Sequence, residues 1–484
     1  MTVRGVLVLL VALLACTGCT SEASLPPESG PPEPIQPQGW DDRLRLAELS
    51  DLDPDPNVVR VELEARISTV EIGADVPARD VWTYGGTLPG PLIRAKVGDR
   101  LIVEFQNSLP EPTTIHWHGM RVPAAMDGVP DHSQPAIAPG ARFTYDFVVP
   151  DAGLFWYHPH VRSAVQSGFG LYGAIAVDDP NEAPLPGEEL VLVLSDLSLD
   201  ADGYPNDPRS GGDLGILFGR EGRFVLANGK VAPVLRARAG APLRFRIVNA
   251  AISRYFQLEL EGHRFSIYGA DGGRMSRATE VDRLLVIPGE RREVLIVPRG
   301  QPEDELVLRW IPYDRGFGST EFRDPEDVVR IELDRRPPIV TPPIPSPTRA
   351  IAPIDTSKAT NVDLRLTQMN TDSGLVLGIN GVPYWDAEPL MAHVGETQIW
   401  SIENEMNWAH PFHLHGFLFQ VLEEGGRELD PLAFRDTVDV PIKGSAKFAV
   451  RYDDRPSMWM FHCHILDHAD AGMMGMLHVH PATP

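Results

Sequence analysis

The chain has 484 residues with 43 glycines and 46 prolines, long enough for two to four domains and too rich in turn formers for a helical protein. Lys and Arg total 43 against 67 Asp and Glu, a formal charge of −24. An acidic surface repels phosphate backbones, so nucleic acid is excluded from the expected partners.

The first segment reads as a targeting signal. Arg4 supplies the positive end, and the apolar run from Val6 to Ala15 is too short to span a bilayer but fits a signal-peptide core. The run closes on Ala15-Cys16-Thr17-Gly18-Cys19, small residues before a cysteine, which resembles a bacterial lipobox. Residues 1–18 are therefore expected to be a signal peptide. Cys19 is the expected lipid attachment point, with Cys16 the competing position and plain secretion the alternative. The Pro-, Glu- and Ser-rich stretch that follows cannot bury a core and reads as a tether over 19–56. The expected location is the cell envelope or periplasm, with the membrane reached only through that lipid. Of three cysteines only Cys463 lies beyond this region, so no disulfide is expected among the folded domains.

From residue 57 onward apolar residues alternate with period two. Val59, Val61 and Leu63 begin the pattern; Leu101, Val103 and Phe105 repeat it, as do Phe143, Tyr145 and Phe147. Phe245 and Ile247, then Val329, Ile331 and Leu333, then Phe448, Val450 and Tyr452 continue it. The fold class is all-β, built of sandwiches. Three stretches also resemble one another: 83–107, 226–250 and 378–404. Each has a small-residue turn (Gly85-Gly86, Asn228-Gly229, Asn380-Gly381), a short strand, a second turn at Gly98, Gly240 or Gly395, and a strand ending in Asn107, Asn249 or Asn404. Copies about 150 residues apart predict three related domains. The boundaries expected are 57–180, 185–335 and 358–484, with a stiff proline-rich linker over 336–357.

Ten of the fifteen histidines fall in four short clusters. They are His116-Trp117-His118, His158-Pro159-His160, His410-Pro411-Phe412-His413-Leu414-His415, and His462-Cys463-His464 with His468 and Met473 beyond it. On a strand, residues two apart share a face, so each His-x-His pair aims two imidazoles at one place. In the last pair Cys463 must point the other way, toward a second metal. One thiolate, two imidazoles and a thioether make a blue-copper electron-transfer set, which Cys463, His410, His468 and Met473 supply. Two clusters lie in the first copy, two in the third and none in the second. A site shared by the outer domains, with the second domain as spacer, needs that distribution.

Together the segments HWHG, HPH, HPFHLHG and HCHILDHADAGMM resemble the four copper-binding signatures of the multicopper oxidase family, the laccase-like enzymes. The resemblance spans roughly residues 57 to 480. It implies three cupredoxin-like Greek-key β-sandwich domains in tandem and four coppers per chain: one type 1, one type 2 and two type 3. It assigns His410, Cys463, His468 and axial Met473 to type 1. It assigns His116 and His413 to type 2, His118, His158 and His464 to one type 3 ion, and His160, His415 and His462 to the other. The implied activity takes single electrons from a small reducing substrate at type 1, near the edge of His468, and passes them through Cys463 and His462 or His464. Four of them reduce dioxygen to water.

Asp127 matches a family position that keeps an acid near type 2, and is the expected proton relay. Where many bacterial relatives place a glutamate after the last type 1 histidine, this chain has Ala469 followed by Asp470, which shifts proton delivery toward Asp127. His132, His263 and His393 are isolated and read as ordinary, and His478 and His480 read as an exposed strand end. Met474 and Met476 read as packing. Phenols or aromatic amines are the expected substrates, with Tyr313 to Asp327 a candidate for the substrate pocket. A cuprous or other metal-ion oxidase of copper tolerance is the alternative, and a copperless envelope scaffold a third, from another class. A monomer is expected.

Overall fold

In each sandwich the first two strands are followed by a turn of residues that tolerate positive φ. Gly85 and Gly86 have φ of 65° and 84°, Asn228 and Gly229 of 50° and 75°, and Asn380 and Gly381 of 57° and 78°. Two successive positive φ values define the turn whose twist matches that of the flanking strands. The chain then crosses to the opposite sheet as strand Gly90–Lys96, Val234–Ala237 or Leu390–His393. A second positive-φ glycine returns it to the first sheet: Gly98, Gly240 or Gly395. The returning strand lies parallel to the first strand of its sandwich. Residues 58–65 run beside 100–107, 188–194 beside 243–249, and 360–366 beside 398–404.

The asparagine that ends each returning strand is a clip. Asn107, Asn249 and Asn404 are buried, and each side-chain oxygen accepts the backbone N–H two residues on, from Leu109, Ala251 or Met406. Each amide donates to a carbonyl a few residues further along and to one in a distant segment: Glu111 and Ile137, Arg254 and Val286, Trp408 and Val440. One side chain thus satisfies several buried backbone groups and fixes the angle at which the chain leaves for the opposite sheet. In the first and third copies the next strand carries histidines.

The computed structural model describes residues 44–73, 76–207, 211–316, 323–344, 349–371, 374–429 and 432–482. The signal segment 1–18, both candidate lipidation residues Cys16 and Cys19, and the tether up to residue 43 lie outside the described residues. Six sheets pair into three sandwiches. The first has four strands on each side; the second and third each have six strands on one side and five on the other. The all-β expectation holds, and the described helices are short, the longest being Gly212–Phe218. Each sandwich has its own core, around Trp117, Tyr145 and Tyr157 in the first, Phe245, Phe256 and Trp310 in the second, and Trp400, Phe412 and Trp459 in the third. A further apolar layer, with Leu154, Trp156 and Val193 in it, joins the first sandwich to the second.

Candidate metal centre

Strand His116–His118 pairs with Gly153–His158 so that His116 faces His158. Strand His410–Leu414 pairs with Ser457–Cys463 so that His413 faces His462 and Phe412 faces Cys463. Alternation sorts the side chains. Trp117 and Tyr157 enter the first core, and Phe412, Leu414, Phe461 and Cys463 enter the third. His410 shares the Cys463 side, and the other histidines of these strands take the opposite faces, which meet where the first and third sandwiches abut. His116 stacks on His415 with ring centroids 3.8 Å apart, and His118 on His413 at 3.7 Å. Cross-sandwich pairs continue with His118 and His464 at 4.9 Å and His160 and His462 at 5.2 Å.

Ligand atoms of His118, His158 and His464 lie within 4.8 Å of one another, as do those of His160, His415 and His462, and those of His116, His118 and His413. Most rings are held from behind. The Nδ1–H groups of His116, His158, His413 and His462 donate to the carbonyls of Asp127, Pro159, Asp436 and Cys463 at 2.8, 3.1, 2.9 and 2.9 Å. His415 Nδ1 donates to Asp127 Oδ2 at 2.9 Å, and His118 Nε2 to Asp436 Oδ1 at 3.1 Å. An acceptor behind the ring fixes the proton there and leaves the opposite nitrogen as a lone pair. On His116, His118, His158 and His413 that opposite nitrogen is buried without a partner in the protein, as are Nε2 of His160 and both ring nitrogens of His464. Burial first, then the neighbouring rings, pushes His118, His160, His415 and His464 well below the ordinary histidine value. A buried set of unpartnered neutral nitrogens is costly alone and is what a metal requires.

The second group is smaller. His410 Nδ1, His468 Nδ1 and Cys463 Sγ form a triangle with sides of 3.2, 3.4 and 3.5 Å. A point equidistant from corners so spaced lies about 2 Å from each, the length of a metal–imidazole bond. Burial pushes the Cys463 thiol up, so its thiolate needs a bound cation. Met473 is buried in the same core cluster; its carbonyl accepts the Cys463 N–H at 3.1 Å and its N–H donates to the His468 carbonyl at 2.9 Å. The donor types and spacing fit copper. Because His462 and His464 flank Cys463, a few covalent bonds join the two groups.

Asp127 is buried, and its carboxylate holds His415 by Oδ2 and stands 3.3 Å from His116 Nδ1 by Oδ1. Three residues that sequence reasoning missed complete the back of the site. Asp436 carries His118 on its carboxylate and His413 on its carbonyl. Arg291 donates to Asp436 from Nη1 at 2.7 Å and stands 3.5 Å from Asp271. Burial alone would raise Asp436, but Arg291 beside it holds the carboxyl well below the usual range. Gly289, at φ 85°, packs so closely that a Cβ there would sit 2.9 Å from His464 and 3.1 Å from His118. Arg291, Asp271 and Gly289 come from the second sandwich, so that sandwich is more than a spacer. The expectation was incomplete because the contacts that tie the sandwiches together, Asp436 to His118 and Arg291 to Asp436, join residues 318 and 145 positions apart.

The second sandwich also covers the smaller group. His468 is fully buried, and its Nε2–H donates to the Leu217 carbonyl, 3.1 Å away in helix Gly212–Phe218. Phe218 packs on Trp408 at 5.9 Å, and Arg220 binds Asp467 through its backbone N–H and Nε, each at 2.8 Å. The edge of His468 is therefore closed by this helix rather than open to solvent. In the candidate pocket segment Tyr313 stacks on Tyr255 at 5.6 Å, and the Arg315 carbonyl accepts the N–H of Ala409, next to His410. Residues 317–322 of that segment lie outside the described residues. Asp470 accepts the N–H of Ala164 at 3.0 Å, and burial raises it to about 6. Of the isolated histidines, His132 bonds Tyr384 at 2.8 Å and His263 accepts the Arg299 N–H at 2.9 Å. His393 stands beside His480, with ring centroids 5.4 Å apart.

Residues 66–182, 188–310 and 353–483 each match a multicopper oxidase domain family. The chain is 33% identical over 459 residues to the multicopper oxidase MmcO of Mycobacterium tuberculosis, covering 86% of each chain. It is 27% identical to a laccase of Bacillus subtilis, covering 84% of this chain and 91% of that one. A multicopper oxidase of Campylobacter jejuni, described as a metallo-oxidase, superposes with a TM-score of 0.81 at 28% identity, covering 94% of this chain and 98% of that one. The three sandwiches thus have the cupredoxin-like form of these relatives.

Proposed function

This chain belongs to the multicopper oxidase family, oxidoreductases that use dioxygen, and we propose that it holds four coppers and couples four one-electron oxidations of a small reducing substrate to reduction of dioxygen to water. The observation that carries this is the paired donor geometry: one Cys/His/His triangle on one side of strand Ser457–Cys463 and a nest of inward imidazole nitrogens on the other. His410, Cys463 and His468, with Met473 from the same core, would hold type 1. His116 and His413 would hold type 2; His118, His158 and His464 would hold one type 3 ion, and His160, His415 and His462 the other. Copper bound there supplies one-electron redox chemistry and the reduction of dioxygen.

The protein's own residues do the rest. Asp127 and Asp436 fix ring orientation and tautomer, so that the lone pairs converge before any ion arrives. Asp127 Oδ1, buried and without a full hydrogen bond, holds and hands on protons beside His116 and His415. The helix over His468 excludes water from the thiolate and makes the substrate donate across Leu217 and Phe218. The domain limits are 57–180, 185–335 and 358–484. The chain is an exported monomer, lipid-anchored through Cys19 on a tether at the envelope or periplasm, a reading supported by its leader sequence.

Phenols and aromatic amines are the laccase-like substrates of this reading. The closed edge of His468 favours a second, cuprous ion, because a flat aromatic ring has no open imidazole edge to lie against. Two measurements test the assignment. Fully loaded protein should contain about four coppers per chain, and far fewer would refute the oxidase reading. Steady-state oxygen uptake on a phenol and on cuprous ion then orders the substrates, and a cuprous rate far above the phenol rate would make the metal ion, not the phenol, the preferred electron donor.

A further inference from the structure

The face of the third sandwich that carries His462 does not end at the metal nest. On strand Ser457–Cys463, Met458 and Met460 share the side of His462, opposite to the core residues Trp459 and Phe461. Strand Met474–His480 runs alongside and sets Met474 level with His462 and Met476 level with Met460. On the other flank His413 is level with His462, and the His415 N–H donates to the Met460 carbonyl at 2.9 Å. Opposed residues on neighbouring strands are about 5 Å apart, so Met474 and Met460 are immediate neighbours of the nest imidazoles.

The thioethers of these two strands are segregated. The core side is built of Trp459, Phe461, Leu477 and Val479, with Cys463 at its end, while Met458, Met460, Met474 and Met476 all take the side of His462. Met460 and Met476 are buried against Val129 of the first sandwich, and Met458, Met474 and Tyr384 pack half-buried around them. Tyr384 bonds the exposed His132, so the layer runs from the nest to the surface. Leucine would fill the same space, because exchange of Leu for Met changes volume little. What the thioether adds is chemistry: it takes up one oxygen atom and becomes a sulfoxide. An aliphatic layer here would be inert, whereas this one accepts oxygen beside the imidazoles that can least lose their lone pairs.

We propose that Met460 and Met474, backed by Met458 and Met476, form a reducing screen that consumes hydrogen peroxide leaving the nest before it attacks the ligand imidazoles. The inference rests on the oxidase reading, in which electrons arrive singly. Dioxygen that has gained only two electrons and two protons departs as hydrogen peroxide. The thioether sulfur attacks one peroxide oxygen, and the O–O bond breaks as the S–O bond forms. The departing hydroxide takes the remaining proton and leaves as water. Sulfur is oxidised by two electrons, the two that the substrate did not supply, so no further reductant is needed.

Copper-loaded wild-type protein is first given limiting phenol or cuprous ion while oxygen uptake is recorded; no uptake with either overturns the oxidase reading and the screen with it. Sulfoxide is then mapped by mass spectrometry after this turnover and, separately, after bulk hydrogen peroxide on the copper-free protein. Met391, 59% exposed, is the internal reference for oxidant arriving from solvent. Bulk peroxide is expected to oxidise Met391 first. Turnover is expected to reverse the order, with Met460 and Met474 ahead by at least about fivefold. Met391 leading in both experiments, with uptake intact, overturns the screen alone. A Met458→Leu/Met460→Leu/Met474→Leu/Met476→Leu variant with normal copper content should accumulate oxidised histidine at 415 and 462 at least about threefold faster per turnover, and a rate equal to wild type would also overturn the proposal. The wild-type mapping decides the matter even if that variant fails to load copper.

Discussion

Replacing Asp436 with Asn is the sharpest probe of how the nest is preorganised. The carboxylate is 1% exposed, and its Oδ1 accepts from three donors: Arg291 Nη1 at 2.7 Å, Thr437 Oγ1 at 2.9 Å and His118 Nε2 at 3.1 Å. In the Asn variant the amide oxygen must keep that position, which forces the amide NH₂ into the place of Oδ2, against Arg291 Nη2. Two donors then face each other, and a buried guanidinium loses its strongest counter-ion. Removing one partner of a buried pair costs about 3–5 kcal/mol; Asp271, 3.5 Å from Arg291, remains as partial compensation, so about 3 kcal/mol is expected. For a sandwich of about 150 residues unfolding as one unit that lowers Tm by roughly 6–12 °C. The loosened His118 and His413 should also weaken copper retention by about 10–100-fold. Calorimetry of the copper-free protein and chelator competition on the loaded protein measure the two effects. A variant with unchanged Tm and unchanged copper retention would refute the claim that Asp436 is the common anchor of both rings.

Three other outcomes are expected. Cys463→Ser should abolish the blue colour and oxidase activity while far-ultraviolet dichroism keeps its β signature; retained activity would contradict the path through this residue. Gly289→Ala should cost about 1–2 kcal/mol from its positive φ alone. Its Cβ also presses on His464 and His118, so the near-ultraviolet absorption of a coupled copper pair should fall more than the type 1 colour. Asp439→Asn should stabilise the protein in alkali. Burial, then the charge of Glu424, raises the Asp439 carboxyl to about 8, with Tyr255 Oη donating to it at 2.8 Å. The folded state therefore holds a proton that the unfolded state releases near pH 4, and wild-type stability falls by up to about 1.4 kcal/mol per unit as pH rises from there toward 8. The variant's Tm advantage should accordingly be absent near pH 4 and largest at pH 8, and a constant advantage across that range would sink the assignment.

What the sequence made legible were features with a local period. Alternation on strands exposed the histidine pairs and put Cys463 on the face opposite to His462 and His464. Turn chemistry exposed the repeat, and the terminal asparagines of that repeat proved to be the hydrogen-bond clips that launch the histidine-bearing strands. Contacts without a period stayed hidden. Arg291 sits in an ordinary run of charged and apolar residues, and nothing near it announces that Asp436, 145 positions away, is its partner. Helix Gly212–Phe218 is too short to carry a helical period, yet its Leu217 carbonyl closes the edge of His468. The second sandwich carries no ligand, yet Gly289, Arg291 and Leu217 all reach the two metal groups from it. A protein in which the middle domain merely held the outer two apart would tolerate substitution at these three positions, and the tight approach at Gly289 argues that this one does not.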